Sequence, residues 1–586
     1  MRRSLCTTVK LTKNVHVRKK GNHQEIRKLS TKPSYYHCVG EDPLSHLTLG
    51  QLSEKCSYSF GDRTAVVSCH QKKKLTFRSL LEEADRLAAG FLKLGFQKED
   101  RIGIWAPNLV EWYIAFIACA RGGFVMVSMN PFYQANEAEN LIKQVKIKGL
   151  ICGDVFRKQD YYHLLKSICP ELEDSKPGKI YSDRVPSLRT VVHITEENKK
   201  GTFKFTDIQN MADEDTMLQI KNFQNKIKFD DPCNIQFTSG TTGMPKAPVQ
   251  SHFNIVNNGY FSGKRVGLHQ KHHTICLQNP LFHVFGTIAT LTAAVNHGAT
   301  IVLPNDTYNP EKNLSAIVQE GCTVIYGTPT MYVDLVSQQR KRNENMKAEI
   351  ALCGGALCPP VLFKDMLDIL KVKAVKSIYG LTETTASVFF SMDNENEYYS
   401  TQTVGKVHDH LEVKVVDSEG YLVPMGSPGE LLVRGYTTMV GYFENEEKTK
   451  EVIDKNGWFK TGDQFILTED GYGKVVGRIK DLIIRGGENI YPKEIEEFLI
   501  TYPDIIEVQV VGVPHERLGE EVCAAVKTKS GNEITIEQLY EFCKGKLSTY
   551  KIPTQIKTLE KFPTTTSGKV QKNKIIEFFS KNKVFS

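Results

Sequence analysis

The sequence predicts an α/β protein: a large N-terminal domain of helix-covered sheets with a β-rich subdomain, then a small α+β C-terminal domain. Three observations carry this. From residue 64, short apolar runs alternate with stretches whose apolar residues fall three and four apart, the pattern of parallel strands covered by helices. After Glu412–Val416 the texture turns strand-rich and Gly-punctuated. The last hundred or so residues then mix helix and strand patterns over the length of a small independent domain.

Ala65-Val66-Val67 reads as a strand. Thr76 caps the next helix, whose Phe77, Leu80, Leu81, Ala84, Leu87, Ala88, Phe91 and Leu92 form one stripe that stops before Gly95. Arg101–Trp105 is a strand, Val110–Cys119 a helix, Phe124–Val127 a strand and Glu137–Val145 a helix. Similar units recur through Ala299–Leu303, Thr323–Tyr326 and Ala374–Tyr379. In such folds ligands sit beyond the carboxyl ends of the strands. Gly429–Gly435 and Gly471–Gly477 mark the β-rich part. Helix Glu494–Leu499, strands Glu507–Val513 and Cys523–Lys527, and helix Ile536–Leu547 make up the tail. Arg478-Ile479-Lys480-Asp481 is the natural linker, which sets a large domain at 41–479 and a small one at 480–586.

With 586 residues, 40% apolar and 24% charged, two or three packed units around a large core are expected. Residues 1–40 hold ten of the 75 Lys/Arg but one of the 67 Asp/Glu, so the net charge of +8 belongs to this segment and the body is nearly neutral. The excess therefore marks no nucleic-acid surface. A short, basic, acid-poor stretch with scattered Ser and Thr reads as a mitochondrial presequence, directing the protein to the matrix; a basic disordered arm is the alternative. None of the fourteen cysteines has C-x-x-C spacing, and the nearest pair, Cys353 and Cys358, has no His cluster beside it. Buried reduced thiols are expected rather than zinc. The most apolar run, Tyr113–Ser128, is interrupted by Arg121-Gly122-Gly123 and falls short of the roughly twenty residues a membrane span needs.

Four motifs carry chemistry. Thr238-Ser239-Gly240-Thr241-Thr242-Gly243-Met244-Pro245-Lys246 follows the strand-like Asn234–Phe237. Its glycines let successive N–H groups turn inward, its hydroxyls add donors and Lys246 adds a cation, a nest suited to the β- and γ-phosphates of a nucleotide. It lacks Walker spacing, and a Ser/Gly/Thr surface turn is the bland reading. Tyr379-Gly380-Leu381-Thr382-Glu383 offers an aromatic face for a purine, a hydroxyl for the α-phosphate and a carboxylate for Mg²⁺. In Trp458-Phe459-Lys460-Thr461-Gly462-Asp463, the acid can accept two ribose hydroxyls, with Arg478 fifteen residues on. Pro563-Thr564-Thr565-Thr566-Ser567-Gly568-Lys569 puts a lysine on a Gly-containing loop, which alone would be an ordinary surface residue.

The order and spacing of these motifs resemble the adenylate-forming superfamily of acyl-CoA synthetases, luciferases and peptide-synthetase adenylation domains, over roughly residues 45–580. Pro280–Gly286, Gly354-Gly355-Ala356, Gly429–Gly435 and Arg478-Ile479-Lys480-Asp481 running into Arg485–Pro492 support it. Stretches such as Ser251–Asn258, Tyr326–Asp334 and Phe542–Lys546 are similar to the mitochondrial medium-chain branch, and that similarity is what implies a fatty-acid substrate.

The resemblance implies an ATP-dependent acid activation followed by transfer to CoA. Lys569 bridges the carboxylate and the α-phosphate, Thr382 contacts that phosphate, Glu383 holds Mg²⁺, and Thr238–Lys246 holds the departing pyrophosphate. Tyr379 and Gly354-Gly355-Ala356 flank the adenine, while Asp463 and Arg478 take the ribose. The small domain turns about Lys480 and brings Gly486-Gly487 towards the pantetheine tunnel. His283 lines the acyl pocket; a partly buried packing role is its alternative. The implied partners are a carboxylic acid, ATP and CoA, with no nucleic acid and no integral membrane segment; chain length and oligomeric state are not legible. One departure stands out: the family pattern Pro-Lys-Gly is here Pro245-Lys246-Ala247, followed by Pro248, which puts loop closure in question. Rival readings are an aryl-acid or luciferase-like activity, an inactive nucleotide-binding scaffold, which would be expected to lose Lys569 or Glu383, and a peptide-synthetase module, which the 17 residues after Lys569 leave no room to continue.

Overall fold

The computed structural model describes residues 32–238, 245–355, 358–486, 488–565 and 569–580. Two large sheets form its bulk. One runs in the spatial order 203–204, 190–193, 149–152, 101–105, 125–128, 232–236, 248–251 and 441–442; the other runs 406–407, 389–390, 374–379, 350–354, 324–327, 274–277, 300–303, 64–68 and 73–76. The central strands of both are parallel, as the alternating pattern predicts; antiparallel strands close both edges of the second sheet and the 441–442 edge of the first, while its 203–204 edge is parallel.

Helices Phe77–Lys93, Val110–Gly122 and His252–Val266 share one core with inward residues of both sheets, among them Ile102, Ile104, Ile275 and Ile301. Thr76 caps the first by accepting the Ser79 N–H, as its position predicts. Every residue of Val110–Gly122 is buried, as befits a helix apolar all round. Its Arg121 does not interrupt it. The guanidinium, 1% exposed, donates to Asp85 at 2.6 and 3.0 Å and to Glu54 at 3.0 Å, and the helix ends at Gly123 with φ 68°. That two-pronged pairing is what makes a buried cation tolerable. Among the described residues no helix is long and apolar enough to cross a membrane.

Strands 35–38, 411–416, 429–434, 459–467 and 473–478 form the antiparallel β-rich sheet. After the turn Ile479–Asp481, the hairpin of Ile505–His515 and Gly519–Thr528 anchors a last sheet against helices Pro492–Leu499 and Lys572–Ser580. The helix starting at Ile536 stops at Cys543, short of Leu547: Lys544 leaves helical geometry at ψ 127° and Gly545 takes φ 73°.

The two large sheets are tied where their strands end. Gln236 donates to Thr287 at 2.5 Å, and Gln250 reaches across to the carbonyl of Thr382 at 2.9 Å.

Candidate active site

The strand Pro232–Gln236 leads into the glycine-rich loop, whose neck is closed by a reciprocal pair of hydrogen bonds: Thr238 N–H to Lys246 O at 3.0 Å and Lys246 N–H to Thr238 O at 3.1 Å. Gln144 holds the carbonyl of Pro245 at 3.0 Å. Ser239, Gly240, Thr241, Thr242, Gly243 and Met244 lie outside the described residues. Ala247 does not take the left-handed conformation that glycine would favour. It is 2% exposed, its carbonyl accepts the Phe443 N–H at 2.9 Å, and Pro248 continues as a strand. The Gly-to-Ala departure therefore brings no backbone strain at that residue.

Tyr379 ends strand Ala374–Tyr379, and its hydroxyl donates to Asp463 Oδ2 at 2.5 Å. Asp463 and Arg478 are fifteen residues apart in sequence but directly opposite in the antiparallel pair of Phe459–Leu467 and Gly473–Arg478. Arg478 Nε sits 2.7 Å from Asp463 Oδ1, and its Nη1 donates to Thr461 O at 3.3 Å. Burial raises the Asp463 carboxyl above its usual value, with Arg478, Tyr379 and Lys569 opposing.

Thr382 and Glu383 form a short turn locked by strain and by hydrogen bonds. Thr385 and Ala386 take φ 53° and 91°, and the Thr385 hydroxyl donates to Thr437 O at 2.7 Å. Non-glycine residues in that region persist where the surroundings over-determine them. The Glu383 carbonyl accepts the Met439 N–H at 2.9 Å, and its carboxylate accepts the Tyr442 hydroxyl at 3.0 Å.

Gly354 and Gly355 end their strand where side chains would not fit. A Cβ on Gly354 would lie 2.3 Å from Ile378 Cγ2, and Gly355 takes φ 82°. Ala356 lies outside the described residues. The Lys569 side chain comes from the far end of the chain to within 3.9 Å of where a Gly355 Cβ would stand. Two hydrogen bonds between Thr565 and Lys569, one of them to the threonine hydroxyl, hold it there: Thr565 N–H to Lys569 O at 2.7 Å, and Lys569 N–H to Thr565 Oγ1 at 3.1 Å. Burial, then the field of Arg478, lowers its ammonium below the usual value, while Asp463 and Glu383 pull the other way. His283, at a strand-to-helix turn, accepts the Phe285 N–H at Nδ1; burial, then Lys569, pushes it down to about 3.

Lys569, Asp463, Arg478, Glu383, Tyr379, Gly355 and His283 thus form one cluster, and the Lys246 end of the loop reaches it through Tyr442. Lys480 lies exposed in the turn Ile479–Asp481. Gly486, φ 59°, donates to Leu518 O at 2.7 Å inside the last sheet, with no contact to the cluster; Gly487 lies outside the described residues. Sequence reading missed Gln250 and Tyr442. Both are single polar residues within ordinary strands; for Tyr442 the readable signal is the Gly-Tyr pair seven residues before Thr449, whose hydroxyl accepts the Tyr442 N–H at 2.9 Å.

In this cluster a buried carboxylate is fixed by a phenol and a guanidinium, a second carboxylate is left without an ion pair among the described residues, and a lysine is inserted between them. Such a set can hold a sugar hydroxyl pair, a phosphate-bound cation and a transferring anionic centre.

The family model described as AMP-binding enzyme matches residues 53–443, and that described as AMP-binding enzyme C-terminal domain matches 494–569. The chain is 41% identical over 559 residues to Medium-chain acyl-CoA ligase ACSF2, mitochondrial, of Danio rerio, covering 95% of this chain and 92% of that protein. It is 39% identical to the Homo sapiens protein of the same name, covering 94% and 92%. Its fold matches the crystal structure of the anthranilate CoA ligase AuaEII in complex with anthranoyl-AMP, with a TM-score of 0.80 and 24% identity over 93% of this chain and 99% of that one. It also matches ATP bound MatB from Rhodopseudomonas palustris, with a TM-score of 0.77 and 24% identity over 91% and 99%.

Proposed function

The chain belongs to the AMP-binding enzyme family, and from that premise we propose that it joins a medium-chain fatty acid to CoA, cleaving ATP to AMP and diphosphate through an acyl-adenylate. The observation that carries this reading is Lys569, which lies among Asp463, Arg478 and Glu383 although it is more than ninety residues beyond the last of them.

In the first half-reaction a carboxylate oxygen attacks the α-phosphorus and diphosphate leaves. Two anions must meet, so alignment and charge neutralisation supply most of the rate. Lys569 spans the carboxylate and the α-phosphate, and Thr382 donates to that phosphate. Asp463 accepts the ribose hydroxyls, held in place by Tyr379 and Arg478. Gly354, Gly355 and Ala356 lie against the adenine with Tyr379, and the Thr238–Lys246 loop takes the diphosphate. His283, neutral at working pH, lines the acyl end without competing with Lys569 for the carboxylate.

The residues present fit a magnesium ion. One Glu383 oxygen is oriented by Tyr442 and the carboxylate makes no ion pair among the described residues, which suits a cation bound by one carboxylate, substrate phosphates and water. Bound there, Mg²⁺ would neutralise phosphate charge.

For thioester formation the small domain, residues 480–586, turns about Lys480, withdrawing Lys569 and bringing Gly486-Gly487 to the CoA thiol. The position of Gly486 away from the cluster, while Lys569 is inside it, supports this division between two states. Residues 1–40 direct import into the mitochondrial matrix, a reading that the mitochondrial relatives support.

The test is a panel of C2 to C18 and aromatic acids with ATP and CoA, read as AMP and thioester. Turnover should peak at medium chain length. A peak on aromatic acids would replace the substrate, and no AMP from any acid would overturn the ligase reading.

A further inference from the structure

Tyr442 is in neither the phosphate loop nor the 379–383 segment, yet it touches both. Its hydroxyl donates to Glu383 Oε1 at 3.0 Å, and Lys246 Nζ lies over its ring, 5.3 Å from the centroid. The backbone around it is fixed on several sides. Strand Gly441–Tyr442 is the edge strand beside Pro248–Ser251, with Tyr442 opposite Pro248. Val440 and Phe443 donate to Val249 O and Ala247 O, each at 2.9 Å. The Tyr442 N–H faces the other way, to Thr449 in helix Glu446–Val452. Met439, three residues earlier, donates to the carbonyl of Glu383 itself. Glu383 is therefore tied to this short segment twice, once by backbone and once by carboxylate. The ring is 7% exposed and packs with Met439 and Phe459. Burial and the neighbouring Glu383 raise the phenol far above its usual value, so it remains a donor through the neutral range.

The Glu383 carboxylate and the Lys246 ammonium approach one site, and a direct ion pair between them would occupy the oxygens that a phosphate-bound cation needs. Tyr442 contacts each of them: its π face attracts the ammonium and its hydroxyl orients the carboxylate. We propose that Tyr442 is a positioning residue that holds Glu383 ready for the magnesium of MgATP and keeps Lys246 off that carboxylate, an inference that rests on the reading of Glu383 as the metal-holding group.

The experiment titrates Mn²⁺, followed by its EPR signal, into the full chain with α,β-methylene-ATP, for the natural protein and for Tyr442→Phe, Tyr442→Leu, Tyr442→Leu/Lys246→Ala and Glu383→Gln. Removing a residue that orients a metal ligand typically changes metal affinity about 10- to 100-fold. Tyr442→Phe, which keeps the ring, should weaken Mn²⁺ binding by roughly that factor while Tm and the affinity for ATP in EDTA stay unchanged. Tyr442→Leu should weaken it further, and removing Lys246 in that background should restore part of the loss, because the competing cation is gone. Glu383→Gln must weaken Mn²⁺ binding too; if it does not, the metal reading fails and this proposal with it. If Glu383→Gln weakens binding but Tyr442→Phe does not, only the positioning role is overturned. If Lys246→Ala restores nothing in the Leu background, the separation of the two charges is overturned.

Discussion

Asp463 and Arg478 face each other across one antiparallel hairpin, with Arg478 Nε 2.7 Å from a carboxylate that is 3% exposed. The hairpin, rather than either side chain, sets this geometry. Asp463→Asn keeps the shape but halves the acceptor capacity and removes the charge. Charge-assisted hydrogen bonds contribute about 1.5–3 kcal/mol, so ATP should bind roughly 10- to 150-fold more weakly by calorimetry. Unchanged ATP affinity would remove Asp463 from the ribose site.

Lys569→Ala deletes the cation proposed to span the two reacting anions. Acid-dependent diphosphate exchange should fall by at least about 10²–10³, the scale of losing one preorganised electrostatic donor. The ATP dissociation constant should move little, since Asp463, Arg478 and the loop remain. Undiminished exchange would refute the assignment.

The pH profile follows from the same lysine. Its ammonium is held below the ordinary value of 10.5, chiefly by burial. The protonated form is the working one, so exchange is full below the lowered value and declines as pH rises through it. The alkaline limb should therefore begin below 10.5, and Lys569→Arg should move it upward while lowering the rate. His283, pushed down to about 3, is neutral throughout this range. A limb near 6.5 that vanishes in His283→Gln would contradict that assignment.

Ala247→Gly restores the residue that the family pattern expects. Because Ala247 takes no positive φ and is 2% exposed, the change should bring no gain in exchange rate and a loss of about 0.5–1 kcal/mol in chemical denaturation. A faster enzyme would show that the alanine restrains the loop.

Much of the fold was legible because periodicity is a local property. Thr76 as a cap and the strands at Arg101–Trp105 and Ala374–Tyr379 fall where the pattern puts them. The helix placed at Val110–Cys119 runs on to Gly122, because Arg121, a lone charge in an apolar run, is neutralised by Asp85 and Glu54, far away in sequence. The roles of Gln250 and Tyr442 could not be read from the sequence for the same reason, since they lie in the carbonyl and the carboxylate these residues reach.

The sequence by itself determined the α/β alternation and the AMP-binding family with its acid-activating chemistry, and it singled out the candidate residues, because side-chain type and motif order need no third dimension. Tertiary structure alone decided which of them meet. Strand register set Asp463 against Arg478, and the docking of the last domain brought Lys569 beside Gly355 while leaving Gly486 outside. The edge strand at Gly441–Tyr442 put an aromatic ring in contact with both Lys246 and Glu383. Those contacts span up to hundreds of residues, and distance in sequence carries no information about distance in space until the sheets are formed.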